Sequence, residues 1–360
     1  MEGQSSDSSK RLAIPDDLIR TLAIFLVVLL HASNEALQTS SVQGTAFWWT
    51  AVVYKSLSLS CVPLFVLLSG ALLLQPAKLD EPIRVFLKKR LSRIGLAFGF
   101  WSGVYLAWGF FITKTPVTLS NIGLGIVRDL LSGADYQFWF IYLLVGLYLI
   151  VPILRVVIAK GDPKIVRYLI LLWFVGVIVV PLTQLVVSDS LISAVFLIGG
   201  FIGYFVLGIY LQNIKLRSAP LYVLLILGIV STVFGIWLMY YPLNALGQNN
   251  YFFDYLSINV IMGSVALFLI LIKLRPDWPG NNHKASGKVV QAISKNTLPI
   301  FLFHVIILET FERGLLGFKL SFTTLNPIIE IPLLAVLTFL ITLGLVLLMK
   351  QIPVLRKLIG

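Results

Sequence analysis

The stretch that decides the fold is Asp17-Leu-Ile-Arg-Thr-Leu-Ala-Ile-Phe-Leu-Val-Val-Leu-Leu-His31. The ten residues between Arg20 and His31 are all apolar or small, so only the two ends of the stretch carry ionisable groups. With its continuation to residue 37, the stretch is long enough to cross the ~30 Å hydrocarbon layer of a bilayer as an α-helix, which takes about 20 residues. It predicts a membrane-spanning helix.

The rest of the chain has the same character. Of 360 residues, 58% are apolar and only 12% are charged, and the mean hydropathy is +0.94. This composition excludes a water-soluble domain and a disordered chain. The sequence therefore predicts an all-α polytopic membrane bundle of about ten transmembrane helices, at residues 17–37, 48–74, 94–113, 136–158, 165–187, 190–211, 218–241, 251–273, 290–312 and 327–349.

Lysine and arginine residues indicate the orientation, because short loops rich in them stay in the cytoplasm. With ten spans and a cytoplasmic N-terminus, the outer loops contain only four of the 28 such residues, namely Lys114, Arg128, Arg313 and Lys319. This asymmetry predicts cytoplasmic termini in the plasma membrane, and it explains the net charge of +12 without nucleic acid. Residues 1–11 are expected to be a disordered cytoplasmic tail before one membrane domain at 12–360.

Ionisable groups within membrane spans are costly and mark candidate functional sites. At about 100° per residue, Arg20 and His31 share one helix face and lie ~16 Å apart along the axis. Arg20 could extend to the interface or act on a ligand. His31 could be a hydrogen-bonded bundle histidine or a general base, since a neutral imidazole accepts a proton near pH 7. Glu35, four residues further on, could hold the imidazole or be solvated.

Further polar residues are candidates for ligand contacts. The segment that contains Lys89, Arg90 and Arg93 could contact anionic lipid or bind the phosphates of a cytosolic ligand. The candidate substrate-binding residues are Ser69, Gln137, Trp139 and His304. Three histidines and one cysteine in the whole chain give no convincing metal spacing, so no metal site is predicted.

In combination these motifs resemble the acyltransferase-3 family of integral membrane O-acyltransferases, over nearly the whole chain. The first-helix Arg20-x10-His31 signature, the Pro63-Leu64-Phe65…Ser69-Gly70 motif and the basic Lys89-Arg90-x-x-Arg93 motif occur in the family's order. Trp139-Phe140 and the helix with His304 resemble later family segments. Gln137 departs from the family pattern, where a histidine is common. The layout resembles that of the enterobacterial common antigen O-acetyltransferase type.

The resemblance implies a reaction and its partners. Acyl-CoA, acetyl-CoA in particular, would bind from the cytoplasm as co-substrate with its phosphates near Arg90 and Arg93. The acceptor would be a glycan or a lipid-linked saccharide, with His31 as its base and Arg20 positioning the pantetheine arm. The resemblance leaves open whether transfer is direct or passes through an acyl-enzyme.

A transporter is the alternative function. In that hypothesis Arg20, His31 and His304 would form a buried polar pathway with no chemistry. A transporter does not require the Arg90-x-x-Arg93 motif beside a membrane histidine, and this feature favours the enzyme.

Overall fold

The computed structural model describes residues 15–114, 118, 121–123, 125–127, 133–184, 200–212, 214, 216–241, 251–274 and 285–360. The predicted tail at 1–11 and the first part of the predicted 190–211 span lie outside these residues. The α-helices in the described part are α1 (Asp16–Ala32), α2 (Asn34–Gln38), α3 (Ala46–Ser58), α4 (Cys61–Leu73), α5 (Ile83–Thr113), α6 (Trp139–Lys160), α7 (Pro163–Gln184), α8 (Gly200–Leu211), α9 (Ser218–Tyr240), α10 (Ile258–Lys273), α11 (Ala285–Lys295), α12 (Thr297–Glu312), α13 (Pro327–Met349) and α14 (Pro353–Leu358).

The predicted all-α membrane bundle is confirmed. Among the described residues there are helices and no strands, and six spans are long and apolar enough to cross a membrane: Ala46–Leu73, Ile83–Thr113, Tyr136–Lys160, Ser218–Tyr240, Tyr251–Lys273 and Pro327–Met349. The helices Gly287–Lys295 and Thr297–Glu312 meet at a bend of 79°, and they form a seventh span if the pair is counted as one. The total of ten and the side of each terminus stay predictions.

Helix α1 lies at the centre of the bundle. It packs against α3, α4, α10, α11, α12 and α13, and an unbroken run of buried residues covers its second half up to Leu30. The predicted span 17–37 is interrupted at Ser33, whose hydroxyl donates to the carbonyl of Leu30 at 2.7 Å. The chain restarts as the short helix α2, so Glu35 lies beyond the end of α1.

Two glycines bring α4 and α8 into backbone contact. A Cβ atom at Gly208 would lie 2.0 Å from the carbonyl oxygen of Leu67, and one at Gly70 would lie 1.8 Å from that of Phe205. These distances are shorter than any van der Waals contact, so only glycine permits this separation of the two helices. Close approach through small residues is the usual way in which helices associate in lipid, where no hydrophobic force draws them together.

Arg155 anchors the segment between α4 and α5. Its side chain is buried, its Nε donates to the carbonyl of Leu73 at 2.8 Å, and its Nη1 lies 2.9 Å from a carboxylate oxygen of Glu81. The guanidinium also lies over the ring of Phe86, 4.6 Å from its centroid. A buried guanidinium needs such partners to offset its lost hydration.

Substituting Gly208 by alanine tests the α4–α8 contact. We expect Gly208→Ala to lower the melting temperature of the detergent-solubilised protein, because the methyl group must force two backbones apart, a strain of about 1–3 kcal/mol. Gly344→Ala in α13 is the matched control, since its Cβ would meet no atom within 4 Å. Equal melting temperatures for the two variants, measured by thermal unfolding, would refute the contact.

Candidate active site

A cavity of about 610 Å³ lies beside the N-terminal half of α1, and we call it the basic cavity. Six cationic side chains line it, and none of the described residues that line it is acidic; the cations are Arg20, Lys78, Lys89, Arg90, Arg93 and Lys295. Arg20 is also ion-paired with Asp16, one turn earlier on α1, at 3.0 Å. So many like charges around one cavity repel one another, and a polyanionic ligand would relieve that repulsion.

Several polar groups at the basic cavity lack a partner within the described protein. The Nε of Arg90 and the hydroxyl of Ser294 are buried and make no hydrogen bond. Unsatisfied buried donors cost free energy, about 1–3 kcal/mol each, and their presence at a cavity wall indicates a site for ligand oxygens. Ser69 and Tyr148 add two hydroxyl groups to the lining.

Lys78 shows the local electrostatics of the basic cavity. Burial lowers the pKa of its amine, and the guanidinium groups of Arg90 and Arg155 lower it further, while the Glu81 carboxylate opposes them. The amine donates to the carbonyl of Leu72 at 2.6 Å, which fixes it at the cavity wall. A phosphate bound there would favour the charged amine and raise its pKa towards the ordinary value.

The bend between α11 and α12 directs a helix N-terminus at the basic cavity. Thr297 and Leu298, in the first turn of α12, line it together with Lys295 at the end of α11. The first N–H groups of a helix are unpaired and carry a partial positive charge, so they favour anions. This adds to the charge of the lysine and arginine side chains.

A second, much smaller cavity lies at the other end of α1, and we call it the histidine pocket. Its volume is about 20 Å³, which holds roughly one water-sized group. It is lined by Val27, Leu30, His31, Cys61, Val62, Gln137, Trp139, Phe140, Tyr255 and Phe301. The amide of Gln137 is buried, and the hydroxyl of Tyr105 is a hydrogen-bonding neighbour of it.

The orientation of His31 is set by its neighbours. The Asn34 amide lies 3.4 Å from Nδ1 of His31, and the amine of Lys55 donates to Oδ1 of Asn34 at 3.4 Å. Because an ammonium can only donate, the Asn34 oxygen faces Lys55 and its NH₂ group faces His31. Nδ1 of His31 is then an acceptor, and the proton of the neutral ring is on Nε2.

His304 packs beside His31, with ring centroids 5.1 Å apart. Its Nδ1 donates to the carbonyl of Phe301 at 2.8 Å, so the lone pair is on Nε2, which is buried and has no hydrogen-bond partner among the described residues. Tyr136 lies on His31 from another side at 5.0 Å. The imidazole of His31, which is partly buried, therefore contacts aromatic rings on two sides.

Two phenylalanines separate the cavities. Phe140 on α6 and Phe301 on α12 line both the basic cavity and the histidine pocket. Their ring centroids are 5.3 Å apart, and Phe65 on α4 packs against Phe140 at 6.0 Å. We call the pair Phe140 and Phe301 the aromatic partition.

The structure groups the residues that the sequence indicated. Arg20, Lys89, Arg90 and Arg93 line the basic cavity, and His31, Gln137 and Trp139 line the histidine pocket, against which His304 packs. Ser69 lies in the basic cavity, apart from the other predicted substrate contacts. Glu35 does not hold the imidazole: its carboxylate lies 3.7 Å from the amine of Lys319, and Asn34 contacts His31 instead.

Sequence reasoning missed several residues of both cavities. Asn34 follows His31 by three positions, one helical turn, so the spacing could have indicated it. Phe140 and Phe301 gave no signal, because a phenylalanine in a membrane span is ordinary. Among the described residues, no group of three or more His, Cys, Asp or Glu side chains could hold a metal ion.

Comparison with known proteins identifies the family of the chain. Residues 17–347 match the model of the acyltransferase-3 family, which is described as an acyltransferase domain. The matched region includes α4 to α12 and nearly all of α1 and α13, and so both cavities. No curated protein and no solved structure matches the chain significantly. The chain belongs to the acyltransferase-3 family and is a membrane acyltransferase.

Proposed function

We propose that this protein transfers an acyl group, acetyl in particular, from cytoplasmic acyl-CoA to a hydroxyl of a surface glycan or a lipid-linked saccharide. One observation supports this most strongly: a cavity lined by six cations and a pocket that contains a neutral imidazole lie at opposite ends of one helix and share a wall. The phosphates of coenzyme A suit the basic cavity, and the neutral imidazole of His31 suits an acceptor hydroxyl.

The orientation of His31 supports a role as the base. Its lone pair on Nδ1 faces Asn34, which follows α1 on the side away from the basic cavity. A hydroxyl that arrives from that side could replace the long 3.4 Å contact with Asn34 and give its proton to Nδ1. The donor and the acceptor would then approach His31 from opposite directions.

The proposed reaction balances without a further reactant. The acceptor oxygen attacks the thioester carbonyl carbon and forms the ester bond, while the hydroxyl proton passes to His31. The carbon–sulfur bond breaks, and the thiolate of coenzyme A takes up the proton. The buried Gln137 amide, which lines the histidine pocket, supplies a donor to the carbonyl oxygen as negative charge develops on it. Arg20 positions the pantetheine arm.

The arrangement of the two cavities does not support the transport hypothesis. Among the described residues, Arg20 and His31 are not joined by a continuous polar pathway, because the aromatic partition lies between their two cavities. Membership of an acyltransferase family favours chemistry over transport.

Removing the proposed base tests the mechanism. We expect His31→Ala to lower the transfer of labelled acetyl groups from acetyl-CoA to glycan by about 10²–10⁴-fold, the usual contribution of a general base. Binding of coenzyme A should stay close to wild type, since its phosphates lie at the other cavity. Asn34→Ala should have a smaller effect. Size-exclusion chromatography checks that the His31→Ala variant is folded. Transfer at the wild-type rate by the folded variant would refute the assignment of His31 as the base.

The donor site is tested by a matched pair of double variants. We expect Arg90→Ala with Arg93→Ala to raise the Kd of coenzyme A at least about tenfold, because hydrogen bonds to charged groups contribute about 1.5–3 kcal/mol each. Arg84→Ala with Lys88→Ala removes the same charge from the same helix, but neither residue lines the basic cavity. Titration calorimetry should show a nearly unchanged Kd for this control. Equal effects of both pairs would indicate only a general surface potential.

A further inference from the structure

The two cavities differ greatly in size. The basic cavity has about 610 Å³, whereas the histidine pocket has only about 20 Å³. A volume of that size accommodates one small group, comparable to a water molecule or a methyl group. If the thioester carbonyl is to reach His31, the chain beyond the carbonyl has to fit into this pocket.

The aromatic partition limits how far the histidine pocket can expand. Phe140 and Phe301 are both 6% exposed and pack against each other and against neighbouring rings. Phe65 supports Phe140, and Phe301 also lies 6.1 Å from the ring of His304. Rings packed from several sides cannot shift far without loss of contacts, because protein interiors are close-packed.

We propose that Phe140 and Phe301 determine the length of the acyl chain that this protein transfers, so that acetyl is accepted and longer chains are rejected. This inference rests on the proposed function and adds a specificity determinant to it. The transfer step is unchanged: the acyl carbon moves from the sulfur of coenzyme A to the acceptor oxygen. The two rings contact the substituent of the carbonyl group.

The expected discrimination follows from the size of the histidine pocket. Each added methylene must displace packed side chains, and a single methylene in an apolar pocket changes kcat/KM by about 10–200-fold. Rejection should occur at the histidine pocket and not at the basic cavity. Butyryl-CoA should therefore bind wild type with a Kd close to that of acetyl-CoA, while its acyl group is transferred poorly.

Shortening the aromatic side chains tests the inference. The purified protein in lipid nanodiscs is given acetyl-, propionyl- and butyryl-CoA with the glycan acceptor, and kcat/KM is measured for each. We expect Phe301→Ala and Phe140→Leu each to raise the ratio of butyryl to acetyl transfer at least about tenfold. Leu144→Ala is the matched control: it lies one turn from Phe140 on α6 and lines only the basic cavity, so the ratio should stay at the wild-type value.

The outcomes separate this inference from the function on which it rests. Transfer of acetyl with an unchanged chain-length ratio in both variants would overturn the inference and leave the proposed function intact. Absence of acetyl transfer by wild type would overturn both. Phe301→Ala removes a large buried side chain and could unfold the protein; Phe140→Leu keeps most of the volume and provides the result in that case.

Discussion

The separation of Arg20 and His31 on one helix is the constraint on which the site depends. A helix rises 1.5 Å per residue, so eleven positions place the two side chains ~16 Å apart on one face. Because α1 is surrounded by other helices, both residues point into the protein and not into lipid. The basic cavity forms around one end and the histidine pocket around the other. In the proposed function, a donor whose phosphates bind in the basic cavity extends along α1 towards His31.

The two ends of α1 favour different ligands for electrostatic reasons. At the basic cavity, six cations, the unpaired Arg90 Nε and the N-terminus of α12 together favour a polyanion. At the histidine pocket, neutral groups predominate: two imidazoles, one amide and several aromatic rings. Charge therefore favours ligand binding in the basic cavity, whereas hydrogen bonding and shape favour it in the histidine pocket. The aromatic partition lies between the two environments.

Prediction from sequence succeeded where local periodicity and charge decide the structure, and it was less complete where contacts between distant segments decide it. The span 218–241 ends within one residue of the observed helix α9, because apolar length alone determines it. The span 17–37 is broken at Ser33, and the segment 290–312 is bent by 79°. Arg90 and Arg93 lie within the long helix α5, whose first turns are too polar to be recognised as part of a span. The contact of Glu35 with Lys319 joins residues that are far apart in the chain.

By itself, the sequence determined that this is a helical membrane protein, and by resemblance it indicated the family and the pair Arg20 and His31. These properties depend on composition, on helical spacing and on the order of motifs, all of which are local. Only the tertiary structure decided that Ser69 belongs to the basic cavity, that Asn34 orients His31 and that Phe140 and Phe301 stand between the two cavities. The physical reason is that a cavity is the space left between helices. Its size and lining follow from how closely backbones approach, as at Gly70 and Gly208, and no single segment encodes that distance.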